Sequence, residues 1–335
     1  MDLSLFPNLA VLSTDFIGAP VWMWLAFLTL VSLLMALDLG VLHRRSREIG
    51  VGESLALSAF YIGLALAFGL FVWRSFGAEA AAAYLTAFAV EKALAMDNVF
   101  VIAMIFSALA TPLALQHRVL FWGVVGVIAL RALLIGAGAA LIAQASWVLL
   151  VFAAVLILTG LKMLFAGESS KERKAHAAAA FLRRRMNVTP GYEGGRFLVK
   201  RADATGRLRW FATPLLLALV LIETADVVFA VDSVPAIFAI TTDPFIVYTS
   251  NIFAILGLRA LYFALAAMIA RFAYLKYALA AVLIFIGGKI FVADLFELTK
   301  IPPLLSLGVT LSLLTLGVLV SLWRTRRDSA PEAGG

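Results

Sequence analysis

The stretch LVLIETADVVFAVDSVPAIF, residues 219–238, is long enough to cross a bilayer and is apolar apart from three carboxylates and two hydroxyls. A second stretch, AVEKALAMDNVFVIAMIF at 89–106, has the same character. A bilayer's hydrocarbon core takes about 20 apolar residues of helix, so Glu91, Asp97, Glu223, Asp226 and Asp232 all fall at hydrocarbon depth. A charge there costs roughly 2.5–3.5 kcal/mol on insertion scales. Acids facing lipid would not persist at that cost. They must face a protein interior, a counter-charge or a bound cation.

The rest of the chain supports a membrane setting. Of its 335 residues 63% are hydrophobic and only 14% charged, with a mean hydropathy of +1.02, against roughly 25% charged in soluble domains. Apolar windows place nine helices near 21–42, 54–73, 80–106, 118–140, 146–165, 211–239, 246–270, 275–293 and 303–323. The expected fold is therefore an all-α polytopic membrane protein, with residues 1–335 as one integral membrane domain. The first twenty residues lack a basic leader, so the first span reads as an uncleaved anchor.

Lys and Arg collect at Arg44, Arg45 and Arg47, at Arg118, through 166–209, at Arg271 and Lys276, and at Arg324, Arg326 and Arg327. The alternate connections carry Asp2, Asp15, Arg74 offset by Glu79, and the segments TTDPF and DLFELTK. Basic loops stay cytoplasmic, which gives an N-terminus outside and a C-terminus inside. The net charge of +7 then reflects topology and contact with anionic membrane lipids, and no nucleic-acid partner is implied.

Three consecutive spans occur twice. AAVLILTGLKMLF (153–165) matches AAVLIFIGGKIFV (280–292), aligning Lys162 with Lys289. ALRALLIG (129–136) matches GLRALYFA (257–264), aligning Arg131 with Arg259. Ahead of each pair, Glu91 and Asp97 align with Asp226 and Asp232, followed by Asn98 and Ser233. Repeat units of 80–165 and 211–293, each with an odd number of spans, would be inverted relative to one another, an arrangement that places substrate sites at the midplane between copies.

On a regular helix Glu91 and Asn98 share one face, as do Glu223, Asp226 and Ser233, while Asp97 and Asp232 stand about 100° away. Pro235 suggests a break that would turn Asp232 inward and free backbone carbonyls. Five acids against Lys92, Arg131 and Arg259 leave a formal charge that one divalent cation neutralises. The chain has no cysteine, and its histidines, His43, His117 and His176, lie in or beside loops. A site built from carboxylate, amide and hydroxyl oxygens suits Mg²⁺, Ca²⁺ or Mn²⁺ better than Zn²⁺ or Cu⁺. The plainer reading of Arg131 and Arg259 is a pair of buried salt bridges that fix packing.

Lys162 and Lys289 lie near helix ends and are expected to snorkel to the interface. Asp38 fits a site residue and a boundary carboxylate equally well. The 166–209 segment holds eleven Lys and Arg against four acids. GESSKERKAHAAAAFLRRR reads as a surface helix and GRFLVKRADATGRLRWFA as two short strands, a solvated basic face open to a cytoplasmic partner or regulator.

ALDLGVLHRR, EKALAMDNVFV, QHRVLFWGVVG, the run from Ala212 to Phe263 and AAVLIFIGGK together resemble the TerC family of integral membrane proteins, in its Alx-like branch. The likeness extends from about residue 21 to 321. It implies a bacterial inner-membrane protein of a family named for tellurite resistance and grouped with LysE-related exporters, whose members are implicated in manganese efflux and in supplying metal to exported proteins. By position it assigns the metal-handling motifs to Glu91, Asp97 and Asn98, and to Glu223, Asp226, Asp232 and Ser233. The expected function is export of a divalent cation, Mn²⁺ first and Ca²⁺ second, as transported substrate with no resident cofactor. A membrane scaffold in a stress-response complex is the alternative. An enzyme is not expected, since the sequence has no GxGD, GxSxG or HExxH motif.

Overall fold

The computed structural model describes residues 12–42, 51–145, 147–165, 168–202, 207–266, 275–296 and 302–328. Asp2, His43, Arg44, Arg45, Arg47, Arg271 and the acidic and basic residues of 297–300 lie outside the described residues, as do the side chains of Asp38, Arg326 and Arg327.

The protein is an all-α membrane bundle. Its helices are α1 (Val21–Leu42), α2 (Val51–Ala108), α3 (Leu113–Gln144), α4 (Val148–Phe165), α5 (Glu168–Arg185), α6 (Pro214–Phe238), α7 (Pro244–Leu256), α8 (Leu258–Ala266), α9 (Leu275–Leu295) and α10 (Pro303–Asp328). Two antiparallel hairpins, β1 (Asp15–Phe16) with β2 (Ala19–Pro20) and β3 (Leu198–Ala202) with β4 (Leu208–Ala212), are its described strands. Among the described residues seven helical stretches are long and apolar enough to span a membrane. The longest folds back on itself and supplies two spans, and the shorter apolar helix α1 accounts for the ninth expected span.

That fold-back is at Gly77, whose φ of 89° and ψ of 178° belong to a region essentially reserved for glycine. The two arms of α2 then run side by side, and the Tyr84 hydroxyl donates to the Ala65 carbonyl at 3.1 Å. The spans anticipated at 54–73 and 80–106 are thus joined by a one-residue pivot and not by a loop. Elsewhere the starts follow local chemistry. Pro214 and Pro244 occupy first-turn positions where no backbone donor is needed, and Asp243 caps α7 by accepting from the Ile246 amide at 3.2 Å.

Pro235 does not break α6. The helix runs unbroken to Phe238, because the proline sits in its last turn and deprives only the Val231 carbonyl of an amide donor. The interruption falls instead at Gly257, between α7 and α8.

The two helices that carry the matching strings pack on each other through aligned positions. A Cβ added to Gly160 on α4 would meet the Ala280 carbonyl at 2.8 Å and Ile284 Cγ1 at 2.7 Å. A Cβ added to Gly287 on α9 would meet the Ala153 carbonyl at 2.7 Å and Ile157 Cγ1 at 2.9 Å. Gly160 and Gly287, Ala153 and Ala280, and Ile157 and Ile284 are equivalent positions of the sequence repeat. As α4 ascends from 153 to 160, its neighbour descends from 287 to 280, so the helices are antiparallel. The second arm of α2 and α6 share buried clusters, Ala87 with Ala230 and Val234 in one, and Ala95 and Val99 with Leu215 and Leu221 in another.

The connections fall into two groups at opposite ends of α6. At its start, the Tyr192 hydroxyl donates to the Leu109 carbonyl at 3.0 Å and shares a 2.9 Å hydrogen bond with Thr111, while the Arg118 guanidinium lies over Phe197. At its other end, Gly18 contacts Asp243 and Pro244, and the Trp24 ring meets Phe245 edge-on at 5.1 Å. The 168–212 segment holds the surface helix and the two strands read from the sequence, with Ala175, Ala179 and Leu182 of α5 packed on the core. Helices α7 and α8 form the most enclosed span. Leu25, Leu28 and Leu33 of α1, Leu133 of α3 and Leu311, Leu316 and Leu319 of α10 are exposed, as an apolar outer surface facing lipid requires.

Candidate functional site

Arg131 on α3 is among the largest fully buried side chains, with 1% of its surface exposed. A guanidinium is always charged and presents planar donors that match a carboxylate edge. Here Nε donates to Asp226 Oδ2 and Nη2 to Asp226 Oδ1, both at 3.3 Å, and Nη1 donates to Ser233 Oγ at 2.8 Å and to Glu91 Oε1. One side chain of α3 therefore joins the second arm of α2 to α6. Glu91 and Asp226, which the sequence alignment pairs, share this single cation.

The cluster is not saturated. Among the described residues Glu91 Oε2 is buried without a hydrogen-bond partner. Asn251 of α7 is fully buried and lies within reach of that carboxylate, yet neither of its polar atoms makes a hydrogen bond of normal geometry. Two carboxylates against one guanidinium leave a net negative charge, and the open acceptors are all oxygen. Among the described residues no three carboxylate or imidazole groups stand together as a ready-made metal cage. A cation held here would draw on Glu91, Asp226 and the neutral oxygens of Ser233 and Asn251.

The remaining candidates lie around this centre. Glu223 is half-buried, its Oε2 is buried with no hydrogen-bond partner among the described residues, and it presses against Gly126, where a Cβ would collide with its carboxylate. Asp232 is half-buried and accepts from Thr159 Oγ1 of α4 at 2.7 Å. An unbroken α6 carries Asp232 away from the face of Asp226 and Ser233, so it is not turned onto Arg131. Asp97 and Asn98 are half-buried further along α2, outside the Arg131 cluster. Arg259 is buried on α8.

Lys92 does not neutralise the cluster. Its Nζ donates to the Ala254 carbonyl at 3.1 Å, in the last turn of α7. A Cβ at Gly257 would stand 2.8 Å from that Nζ and 3.2 Å from Tyr61 Cβ, so the glycine makes room for the lysine. Gly257→Ala is expected to lower stability by about 1–3 kcal/mol, read as a lower melting temperature in detergent, and an unchanged melting temperature would show that the lysine has other space. Lys162 is exposed, in keeping with an interfacial position, whereas Lys289 is half-buried and lies 3.4 Å from Ser306 Oγ of α10.

Sequence reasoning missed Asn251, Thr159, Gly126 and Gly257. Asn251 had a signal in YTSNIF, where an amide interrupts an apolar span, but nothing in one sequence tells which acid it approaches.

Residues 76–329 match the family described as integral membrane protein TerC. The chain belongs to the TerC family. Among similar TerC-like proteins, an uncharacterized membrane protein of Myxococcus xanthus is 44% identical over 95% of this chain and 97% of its own length. One from Rickettsia bellii is 45% identical over 90% and 97%. Alx of Escherichia coli, described as a proposed membrane-bound redox modulator, is 41% identical over 95% and 99%. No solved structure matches this TerC protein.

Proposed function

We propose that this TerC family protein is a secondary transporter that exports Mn²⁺ from the cytoplasm across the bacterial inner membrane. The observation that carries the reading is the buried pair Glu91 and Asp226, supplied by α2 and α6 and held on the one Arg131 guanidinium. Acids at that depth are costly and are retained chiefly on ion pathways. Oxygen donors of this kind favour the hard cations Mg²⁺, Ca²⁺ and Mn²⁺, and the choice of Mn²⁺ first and Ca²⁺ next is what the TerC resemblance implies.

The antiparallel, glycine-matched packing of α4 and α9 supports an inverted repeat, since a two-fold axis perpendicular to membrane-spanning helices lies in the membrane plane. Rocking of one unit against the other would open the cluster to each side in turn. Glu223, Asp97 with Asn98, and Asp232 then serve as stations on the approaches. The sequence has no GxxxxGK motif, so the driving force is an ion gradient or the membrane potential. A redox role of the kind named for Alx would, in a chain without cysteine, act through the metal it moves.

The test is Mn²⁺ flux in proteoliposomes containing the purified protein, with Ca²⁺, Mg²⁺ and Zn²⁺ as competitors. Saturable Mn²⁺ flux with Ca²⁺ the strongest competitor is expected. Liposomes no more permeable than protein-free controls would leave the scaffold reading in its place.

A further inference from the structure

We infer that Arg131 is a tethered cation that occupies the carboxylate pair when the transported ion is absent, and that it moves to Glu223 when the ion binds. This rests on the transport reading above. Three observations carry it. The guanidinium lies between Glu91 and Asp226, taking both carboxylates and the Ser233 hydroxyl, the oxygens a divalent cation would need. An ion therefore cannot take these ligands unless Arg131 leaves them.

Second, a destination is already built. Glu223 lies about one turn from Asp226 on the same helix face, and its Oε2 is buried without a partner among the described residues. It packs against Gly126, a little over one turn before Arg131 on α3. Side chains on a helix lean toward its N-terminus, so the guanidinium can swing from Asp226 toward Glu223 without crossing a helix. Gly126 leaves the Glu223 carboxylate room beside α3 that any Cβ would fill.

Third, the charges balance. With Arg131 on the pair, the carboxylates keep one negative charge between them. With a divalent cation on the pair, they are neutral and Arg131 finds one charge on Glu223. Without the guanidinium, the ion-free site would hold two bare carboxylates in a low-dielectric interior, a penalty large enough to oppose reorientation. The arginine thus lets the empty carrier return, and it competes with the ion for the same oxygens.

Competition between two cations for one site is a coupling between binding events, typically 5–150-fold. Arg131→Met is therefore expected to bind Mn²⁺ more tightly than wild type, by about tenfold or more, in titrations of detergent-solubilised protein. In proteoliposomes it should retain exchange of internal Mn²⁺ for external radioactive Mn²⁺, which does not require the empty carrier to reorient, while net flux falls to the protein-free level. Arg131→Lys should restore net flux in part, and Glu223→Gln should weaken Mn²⁺ binding at the central pair although Glu223 is not a ligand there.

A folded Arg131→Met protein that keeps both exchange and net flux, or loses both, overturns the inference, as does weaker Mn²⁺ binding. Should that variant not insert, Arg131→Gln keeps donors without charge and is read by the same criteria. If wild-type protein shows neither exchange nor net flux, the transport reading itself fails, which is a separate outcome.

Discussion

Replacing Glu91 with Gln or Asp226 with Asn is expected to reduce Mn²⁺ flux by about 100-fold or more while the protein remains folded and inserted. Each change keeps side-chain size and removes one of the two charges that offset the dehydration of a divalent ion. Removing one partner of a buried charged pair costs about 3–5 kcal/mol, and 1.4 kcal/mol is tenfold in binding. Folding should survive because Arg131 keeps one carboxylate in either variant, and a neutral pair is left in place of a net negative cluster. Asp232→Asn should cost less at the central site, since Asp232 is held by Thr159 on α4 and not by Arg131. Exposed Glu79 supplies the control, and Glu79→Gln should leave flux unchanged. Near-wild-type flux in folded Asp226→Asn protein would remove the cluster from the ion path.

The second large effect is structural. Gly160→Leu and Gly287→Leu should each prevent assembly of a stable bundle, because the added side chain meets a carbonyl of the facing helix within 3 Å, where backbone must move. Overpacking with a few carbon atoms commonly costs 1–3 kcal/mol and more where backbone is displaced. The informative comparison is between the alanine variants. The two glycines make matched contacts, Gly160 with Ala280 and Ile284 and Gly287 with Ala153 and Ile157. Gly160→Ala and Gly287→Ala should therefore lower the melting temperature by similar amounts. A large loss at one position and none at the other would show that the pseudo-two-fold packing is not what holds the copies together.

Much of the fold was legible because hydropathy and bilayer thickness set span lengths directly. The matching strings at 153–165 and 280–292 also form two helices in contact, with Gly160 packed on Ala280 and Ile284 and Gly287 on Ala153 and Ile157. All five acids, Glu91, Asp97, Glu223, Asp226 and Asp232, were conspicuous for the same reason, an apolar setting, and that setting did not tell which two share Arg131. What stayed hidden was pairing across helices. That Arg131 serves both acids and Ser233 depends on how α3 sits between α2 and α6, and one sequence carries no such distance information.

Pro235 misled because a proline in the last helical turn looks, in sequence, like one that breaks a span. The actual interruption at Gly257 is marked only by a glycine among many. Since α6 stays regular, Asp232 keeps the angular offset that simple helical geometry gives it, and it reaches Thr159 on α4.

The most direct measurement is the position of Mn²⁺ in crystals or membranes of the metal-loaded protein, located by anomalous scattering at the manganese edge. The expected result is one peak between Glu91 and Asp226, with about six oxygen ligands near 2.2 Å, intermediate between Mg²⁺ and Ca²⁺ distances, and with the Arg131 guanidinium withdrawn toward Glu223. A loaded protein in which Arg131 still holds both carboxylates, with manganese bound only at other acids or on the 168–212 face, would contradict it.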